Sequence, residues 1–276
     1  MSKIKVIVNP EAGRGYAGRI SPRIDEAFQA LGVDFDLVHT SYPGQAVTLA
    51  AEALDQGFDT LVSVGGDGTA HEIINGMMIR GNGKASGTLG CIPAGSGNDF
   101  AVMNAAPEDV AAACAMIAEG TTRHIDIGRL VVDGKLERYF DNAVGIGFDG
   151  LVVRETNKLK NLRGLALYIP AVLRTVFGSL GSPNVHVTLD GQSFDAETMM
   201  LVTCNGPREG GTFFLAPDAS YDDGFFDIVL AERVSRLQML ALIPRFIMGT
   251  HLRHPKISVR QAKQLVLSSD EALFFL

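Results

Sequence analysis

The chain has 276 residues, 46% apolar and 20% charged, a globular composition that argues against disorder. This length makes two domains the reasonable expectation. The net charge of −7 argues against nucleic-acid binding, because such proteins carry a basic face. The three cysteines are far apart and form no C-x-x-C pair, which favours a reduced, cytoplasmic protein.

The first half of the sequence predicts strands that alternate with helices. Apolar segments read as buried strands at residues 3–9, 34–40, 59–65 and 88–93, and helical periodicity lies near 18–31, 44–57, 69–80 and 108–119. This alternation predicts a parallel sheet covered by helices on both faces. Ligands of such sheets bind beyond the carboxyl ends of the strands, so function is expected in the turns that follow them.

The second half of the sequence has a different texture, which begins at about Gly128. Short alternating segments are separated by tight turns such as Asp133-Gly134 and Asp190-Gly191, and helical inserts lie near 151–178 and 235–248. This pattern predicts an antiparallel sheet, folded as a sandwich. We therefore predict an α/β domain over residues 1–126, followed by an all-β sandwich domain over residues 127–276.

The first glycine-rich turn, "NPEAGRGYAG", follows the first predicted strand. Gly13, Gly15 and Gly18 have the spacing of the dinucleotide-binding fingerprint. That fingerprint turns immediately after its strand, however, and the next strand should end in an acid rather than in His39-Thr40. A phosphate-facing loop of another kind, with Arg14 as counter-charge, fits the residues better.

The second turn lies in "LVSVGGDGTAHEIINGM", where Gly65, Gly66 and Gly68 surround Asp67. Glycines let backbone N–H groups converge on an anion, and the start of the following helix adds positive potential. A carboxylate there would repel phosphate unless it binds a metal ion or accepts a proton. The alternative is that Asp67 only caps its own helix through the N–H of Thr69 or Ala70.

The third turn, "IPAGSGNDFA", has a similar composition and also follows a predicted strand. It supplies glycines, the hydroxyl of Ser96 and the carboxylate of Asp99, although Asn98 and Asp99 could instead cap the following helix. Asp126, in "HIDIG", ends the last strand-like segment of this half. Three acids near a phosphate-binding loop indicate phosphoryl transfer with Mg²⁺.

These motifs, taken in order, resemble the diacylglycerol kinase catalytic domain family. The resemblance rests on "VNPEAGRG", "VGGDGTAHEIINGM", "IPAGSGNDFA" and "HIDIGRL", and continues through "FDNAVGIGFDG" and "CNGPREGGTFFLAPDASYDDGFFDIVL". The family includes bacterial lipid kinases and the eukaryotic sphingosine and ceramide kinases. The resemblance implies an ATP-dependent lipid kinase that acts on diacylglycerol or a related lipid. The alternatives are an NAD kinase-like phosphotransferase and a non-catalytic nucleotide-binding regulator.

The resemblance also implies site residues. Asp67, Asp99 and Asp126 should form the acidic catalytic network. The nucleotide should contact Asn9, Gly13, Arg14, Thr40, Gly65, Gly66, Asp67, Gly68, Thr69, Glu72 and Ser96. Three positions depart from the family pattern, because Ala12, His71 and Ser96 stand where Ser, Asn and Thr are usual.

A structural Mg²⁺ site is implied by "ASYDDGFFD". Asp223 would give its carboxylate, and Ser220 and Phe225 their backbone carbonyls, which are oxygen ligands that this cation accepts. The alternative is a simple hairpin turn on Asp-Gly. The family's C-terminal D-G-E motif, which supplies the proton acceptor, is expected just beyond Leu276, after a strand in "ALFFL". No general base is therefore assigned.

Basic side chains are concentrated in the second half of the sequence. Residues 154–177 contain five basic residues and one acid, and Arg233 to Lys263 contain seven basic residues and no acid. This pattern predicts reversible association with an anionic membrane surface, where a lipid substrate resides. Solvated helix faces or a homodimer interface are the alternatives. No apolar stretch is long enough to span a bilayer.

Overall fold

The computed structural model describes residues 3–84, 86–156, 158–159, 165–178, 181–271 and 273. It divides into two compact units, Met1–Asp141 and Asn142–Leu276. The sequence texture placed this boundary after residue 126. Lys160 and Arg163 of the basic segment, and the predicted C-terminal strand apart from Leu273, lie outside the described residues.

The first unit contains a four-stranded parallel sheet with strand order β2-β1-β3-β4. Its elements are β1 (Ile4–Val8), α1 (Ala12–Ala30), β2 (Phe35–His39), α2 (Gln45–Asp55), β3 (Thr60–Gly65), α3 (Asp67–Arg80), β4 (Thr88–Pro93), α4 (Asp99–Met103), α5 (Val110–Glu119), β5 (Gly128–Val132) and β6 (Lys135–Phe140). The predicted parallel sheet is confirmed.

The strands alternate their side chains between two cores because successive residues point to opposite faces. Val6 and Val8 pack in a cluster with residues of α1 and α5, whereas Ile7 packs with residues of α2 and α3. In β3, Val62 packs in the first of these clusters and Leu61 packs in the second. Burial on both faces explains the nearly continuous apolar runs of these strands.

The hairpin formed by β5 and β6 belongs to the first unit, although the sequence texture assigned it to the second. Its turn uses Asp133 and Gly134, with φ of 49° and 75°, which suits a two-residue hairpin turn. Tyr139 of β6 packs in a cluster with residues of α3 and α4. The "HIDIG" segment before this hairpin was expected to resemble a strand, but residues 121–127 form no regular element.

The second unit is built on an antiparallel sheet with order β13-β12-β9-β8-β14, in which β7 also pairs with β9. Its elements are β7 (Ala143–Gly147), α6 (Phe148–Thr156), α7 (Leu165–Phe177), β8 (Asn184–Leu189), β9 (Gln192–Cys204), β10 (Arg208–Glu209), β11 (Phe213–Phe214), β12 (Phe226–Glu232), α8 (Arg236–Ile247), a short 3₁₀ helix (His251–Arg253), β13 (Ile257–Ala262) and β14 (Leu265–Ser268). The predicted antiparallel architecture is confirmed.

The long strand β9 organises the second unit. Its first half pairs with β8, and its second half pairs with β12 and β7. Met200 and Val202 face a core shared with α6, α7 and α8, whereas Leu201 faces a second core with Val187 of β8 and Ile228 of β12. Within the described part of the chain, no helix is long and apolar enough to cross a membrane.

Candidate functional site

Three glycine-rich loops follow β1, β3 and β4 at the carboxyl edge of the parallel sheet, where β3 lies between the other two strands. Gly13, Arg14 and Gly15 have non-helical backbone angles within the range of α1 and form part of the first loop. Gly13 has a φ of 57°, in the left-handed region that favours glycine. A Cβ on Gly13 would lie 2.2 Å from the carbonyl oxygen of Ala94 in the third loop. The first and third loops are therefore in backbone contact.

The second and third loops are joined in the same way. The N–H of Ala94 donates to the carbonyl of Gly65 at 2.7 Å. A Cβ on Gly95 would lie 2.3 Å from the Cα of Gly66, and a Cβ on Gly66 would lie 2.9 Å from the Cα of Gly95. These glycines are required because two backbones touch, which brings the motifs together as the sequence predicts.

Asp67 is the first residue of α3, and its carboxylate forms a hydrogen bond outside that helix. The N-cap position is Gly66, with no side-chain cap, and Asp67 Oδ1 accepts from the N–H of Phe100 at 2.9 Å. Asn98 does not cap α4 either, because its Oδ1 accepts from the N–H of Gly95 at 2.8 Å. The N–H groups of Thr69 and Ala70 donate to the carbonyl of Gly66, so the alternative in which Asp67 caps its helix through them is wrong. The Asp67 carboxylate instead connects the second loop to the start of α4.

The surroundings of Asp67 disfavour its negative charge. Burial raises the pKa of Asp67 from 3.8 to about 6, against the Phe100 hydrogen bond, and the charges of Asp99 and Asp141 add to the rise. Asp99 and Asp141 are 2% and 5% exposed, so water screens these carboxyl groups poorly. A group of carboxyl side chains in this state favours a bound cation or a shared proton, and such groups are characteristic of functional sites.

Asp141 is a site residue that the sequence analysis did not single out, because it assigned the residues after 126 to the other domain. Asn75 of α3 fixes the end of β6 by accepting from the N–H of Tyr139 at 2.8 Å and donating to its carbonyl at 2.9 Å. Asp141 follows directly after β6, and its Oδ1 lies 3.7 Å from Nδ1 of His71. The sequence did contain one signal for this residue. The acid in "RYFDN" comes after a strand, as Asp67 and Asp99 come after β3 and β4.

Several of the implied nucleotide residues lie at this edge of the sheet. Asn9 Nδ2 donates to Thr69 Oγ1 at 3.2 Å, which connects the first loop to the second. Arg14 and Ser96 are exposed on the first and third loops, and Gly68 is exposed in the first turn of α3. Their contacts with a nucleotide remain a prediction.

Three further implied residues have other surroundings. Both carboxylate oxygens of Glu72 accept backbone N–H groups at the start of α2, from Gly44 at 3.0 Å and from Ala46 at 3.2 Å. Thr40 follows β2 and is half-buried, with its N–H donated to the carbonyl of Val8. Asp126 is half-buried in the segment between α5 and β5. The roles proposed for these residues remain predictions.

Comparisons with known proteins divide the chain in a similar way. Residues 3–130 match the diacylglycerol kinase catalytic domain, and residues 142–276 match the YegS C-terminal NAD kinase beta sandwich-like domain. The diacylglycerol kinase of Staphylococcus saprophyticus is 30% identical over 269 residues, which cover 97% of this chain and 85% of that protein. The chain belongs to the diacylglycerol kinase family. The Bacillus subtilis member is also 30% identical, with 99% and 88% covered.

Solved structures agree with this family assignment. A diacylglycerol kinase from Bacillus anthracis has a TM-score of 0.70 at 25% identity, covering 98% of this chain and 87% of that chain. A further structure from the same organism has a TM-score of 0.76 at 23% identity, covering 100% and 94%, and supports the fold alone. The family resemblance and the two-part fold predicted from the sequence are confirmed.

The acidic side chains of the candidate site are of a chemical type that binds Mg²⁺. Carboxylate oxygens such as those of Asp67 and Asp99 are ligands that Mg²⁺ accepts. Among the residues described, however, no group of three or more His, Cys, Asp or Glu side chains is placed to hold a metal ion. Mg²⁺ binding at these carboxylates remains a prediction.

The predicted structural Mg²⁺ loop forms a turn before β12. Asp223 Oδ1 accepts from the N–H of Phe225 at 3.0 Å, and Ser220 Oγ donates to Asp222 Oδ1 at 2.8 Å. Burial raises the pKa of nearby Asp227, and the charge of Asp223 adds to this effect. The implied ligands are one carboxylate and two backbone carbonyls, and these contacts do not test whether they hold a metal ion. The metal site and the hairpin alternative both remain predictions.

An apolar cavity of about 90 Å³ lies inside the second unit. Side chains of α6, α7, α8 and the sheet line it, among them Val152, Val176, Met200, Leu242 and Ile257. Glu209 is also among the lining residues. A cavity with this lining suits an alkyl chain, because it offers apolar contacts on many sides.

Proposed function

We propose that the protein is an ATP-dependent lipid kinase that transfers the γ-phosphate to a hydroxyl of diacylglycerol or a related lipid. The observation that carries this proposal is the backbone contact of three glycine-rich loops around Asp67. Glycine-rich backbone beside a helix start provides N–H groups and positive potential for phosphate. Family membership supports the kinase assignment, and ATP is the phosphate donor that a kinase implies.

The side chains of the site have distinct parts in this proposal. Arg14 and Ser96 are exposed on the loops and would contact the phosphates. Asp67 and Asp99 would hold Mg²⁺, which supplies charge neutralisation for the transferred phosphoryl group. His71 lies beside Asp141 and would stabilise its charge when protonated.

Phosphoryl transfer breaks the bond to the ADP leaving oxygen and forms a bond to the lipid oxygen, whose proton must be removed. We assign no residue to that proton transfer.

The apolar cavity supports a lipid acceptor. We propose that it receives part of an acyl chain, because its walls present aliphatic and Met side chains from three helices and the sheet. An NAD kinase-like phosphotransferase is the competing hypothesis, and the matched β-sandwich description mentions NAD kinase. An acceptor such as NAD has no alkyl chain to fill this cavity, so the cavity favours lipid over dinucleotide.

The proposal extends to the cellular location. A bilayer-resident acceptor requires a kinase that visits the membrane surface reversibly from the cytoplasm.

The decisive experiment is a transfer assay with γ-³²P-labelled ATP and a panel of acceptors. The panel contains dioctanoylglycerol, long-chain diacylglycerol in mixed micelles, monoacylglycerol, ceramide, sphingosine and NAD. We expect Mg²⁺-dependent labelling of a diacylglycerol or a related lipid and no labelling of NAD. Labelling of NAD alone would replace the lipid kinase assignment with a dinucleotide kinase. Nucleotide binding without labelling of any acceptor would favour the non-catalytic regulator.

A further inference from the structure

A basic pocket lies at the start of α8 in the second unit, and the proposed phosphoryl transfer does not use it. Its volume is about 800 Å³, and Arg233, Arg236 and Lys256 are among its lining residues. Among the residues that the structure describes, no Asp or Glu lines it. Arg233 and Arg236 lie three residues apart at the start of α8, and the fold brings Lys256, which lies before β13, to the same place.

Each cation is oriented by a neighbour while it stays exposed. The Arg236 guanidinium donates to the carbonyl of Gly178 at 3.3 Å, and Lys256 Nζ donates to the carbonyl of Arg233 at 2.7 Å. The Arg233 guanidinium lies 3.6 Å from the Glu197 carboxylate, but its side chain is 74% exposed, so this pair is weak. Glu232, which is exposed and precedes Arg233, is a second neighbouring acid, so three cations face two carboxylates and the pocket keeps a positive charge.

Apolar groups adjoin the pocket. Met199 and Val234 line both the basic pocket and the apolar cavity. Leu237 follows Arg236 in α8 and is 79% exposed, and Phe177 precedes Gly178 and is 63% exposed. A soluble anion would use only the cations. A surface that combines cations with exposed large apolar side chains instead fits the interface of a bilayer.

We propose that this basic pocket binds the phosphate of an anionic phospholipid in the membrane surface, with Leu237 and Phe177 inserted among the neighbouring acyl chains. Such docking would turn the pocket side of the apolar cavity towards the bilayer. The inference deepens the proposed lipid kinase function by naming the surface that meets the membrane. It also locates that surface at the first part of the basic Arg233–Lys263 segment, rather than along its whole length.

The test is co-sedimentation with vesicles of phosphatidylglycerol or phosphatidylcholine. The site variant is R233Q/R236Q/K256Q. The matched control, R245Q/R253Q/R260Q, removes the same charge from exposed arginines of the same unit that do not line the pocket.

We expect the site variant to lose affinity for phosphatidylglycerol vesicles by about 10²-fold, since each basic residue near an anionic surface contributes about fivefold. The control should stay within about threefold of the unmodified protein, because its three arginines do not line the pocket. R233K/R236K should retain binding, and Leu237→Ser should weaken it without changing its salt dependence. Thermal melts show whether each variant is folded.

Three outcomes would overturn the proposal. Equal losses in the site variant and the control would mean unspecific charge attraction. Equal binding to both kinds of vesicle would remove the role of the anionic headgroup. Release by inorganic phosphate that exceeds release by chloride at equal ionic strength would mean a pocket for soluble phosphate.

The assay separates this proposal from the kinase assignment. Turnover of dispersed dioctanoylglycerol by the site variant should match that of the unmodified protein. If no acceptor is phosphorylated by either protein, the kinase proposal fails while the vesicle result stands by itself.

Discussion

In the first unit, three short loops whose backbones touch surround Asp67, whose carboxylate accepts from a backbone N–H at the start of α4. In the second unit, the apolar cavity draws on side chains of three helices and several strands, and its boundary contains few polar groups. Local motifs therefore define the first site, whereas only the tertiary fold defines the second. Small changes should consequently act differently in the two units.

The largest effect is expected for Asp67→Asn. If the carboxylate takes part in metal binding or chemistry, turnover should fall by a factor on the order of 10² or more. The same change should raise stability in the absence of ligands. The pKa of Asp67 is raised in the folded state to about 6, so its ionised form opposes folding above that pH, by up to about 3 kcal/mol.

That stability gain should shrink as the pH falls from about 6 towards 4, because the folded protein then takes up the proton first. Urea unfolding at several pH values and initial rates measure the two effects, with the exposed Asp34→Asn as control. A folded Asp67→Asn protein with turnover near that of the unmodified chain would exclude a catalytic role.

A second test uses the contact between the loops. Gly95→Ala would place a Cβ 2.3 Å from the backbone of Gly66, whereas Gly68→Ala meets nothing within 4 Å. We expect Gly95→Ala to destabilise the first unit by about 1–3 kcal/mol and to raise the KM for ATP, because the loops must separate. Gly68→Ala should leave the melting temperature nearly unchanged. Similar melting temperatures for both variants would show that the contact is readily relaxed.

A third test concerns the cavity of the second unit. Val176→Phe adds volume to a fully buried side chain that lines it, and Val266→Phe adds the same volume at an exposed position of β14. If an acyl chain enters the cavity, Val176→Phe should raise the KM for long-chain diacylglycerol about tenfold and affect dioctanoylglycerol less. Equal effects on both substrates would argue against a chain in this cavity.

The same contrast explains what could be predicted from the sequence. The four parallel strands and their loops were predicted because apolar runs and glycines lie close together in the chain. Asp141 was missed because the hairpin β5–β6 has the texture of the second unit, yet Asn75 binds its end to α3. The basic pocket was also hidden, since Lys256 approaches Arg233 only through the fold. Functional residues that lie close together in the chain can be recognised as motifs, whereas contacts between residues distant in sequence cannot.

The smallest effect is expected at the turn that contains Asp223. If it holds Mg²⁺, a saturating concentration of the ion should raise the free energy of unfolding of the second unit by about 1–2 kcal/mol. Asp223→Ala should abolish that rise. Asp223 also accepts from the N–H of Phe225, so alanine removes a hydrogen bond even without metal. Asp223→Asn is the matched control, because its amide oxygen keeps that bond while the charge is lost.

Both variants should therefore lose the Mg²⁺ response, whereas only Asp223→Ala should melt lower in EDTA. Differential scanning fluorimetry with and without Mg²⁺ measures both quantities. A Mg²⁺ response that persists in both variants would mean that this segment is only a hairpin turn and that the ion binds elsewhere. Calcium is a useful comparison, since a flexible site of backbone carbonyls accepts the larger ion more readily than an octahedral Mg²⁺ site does.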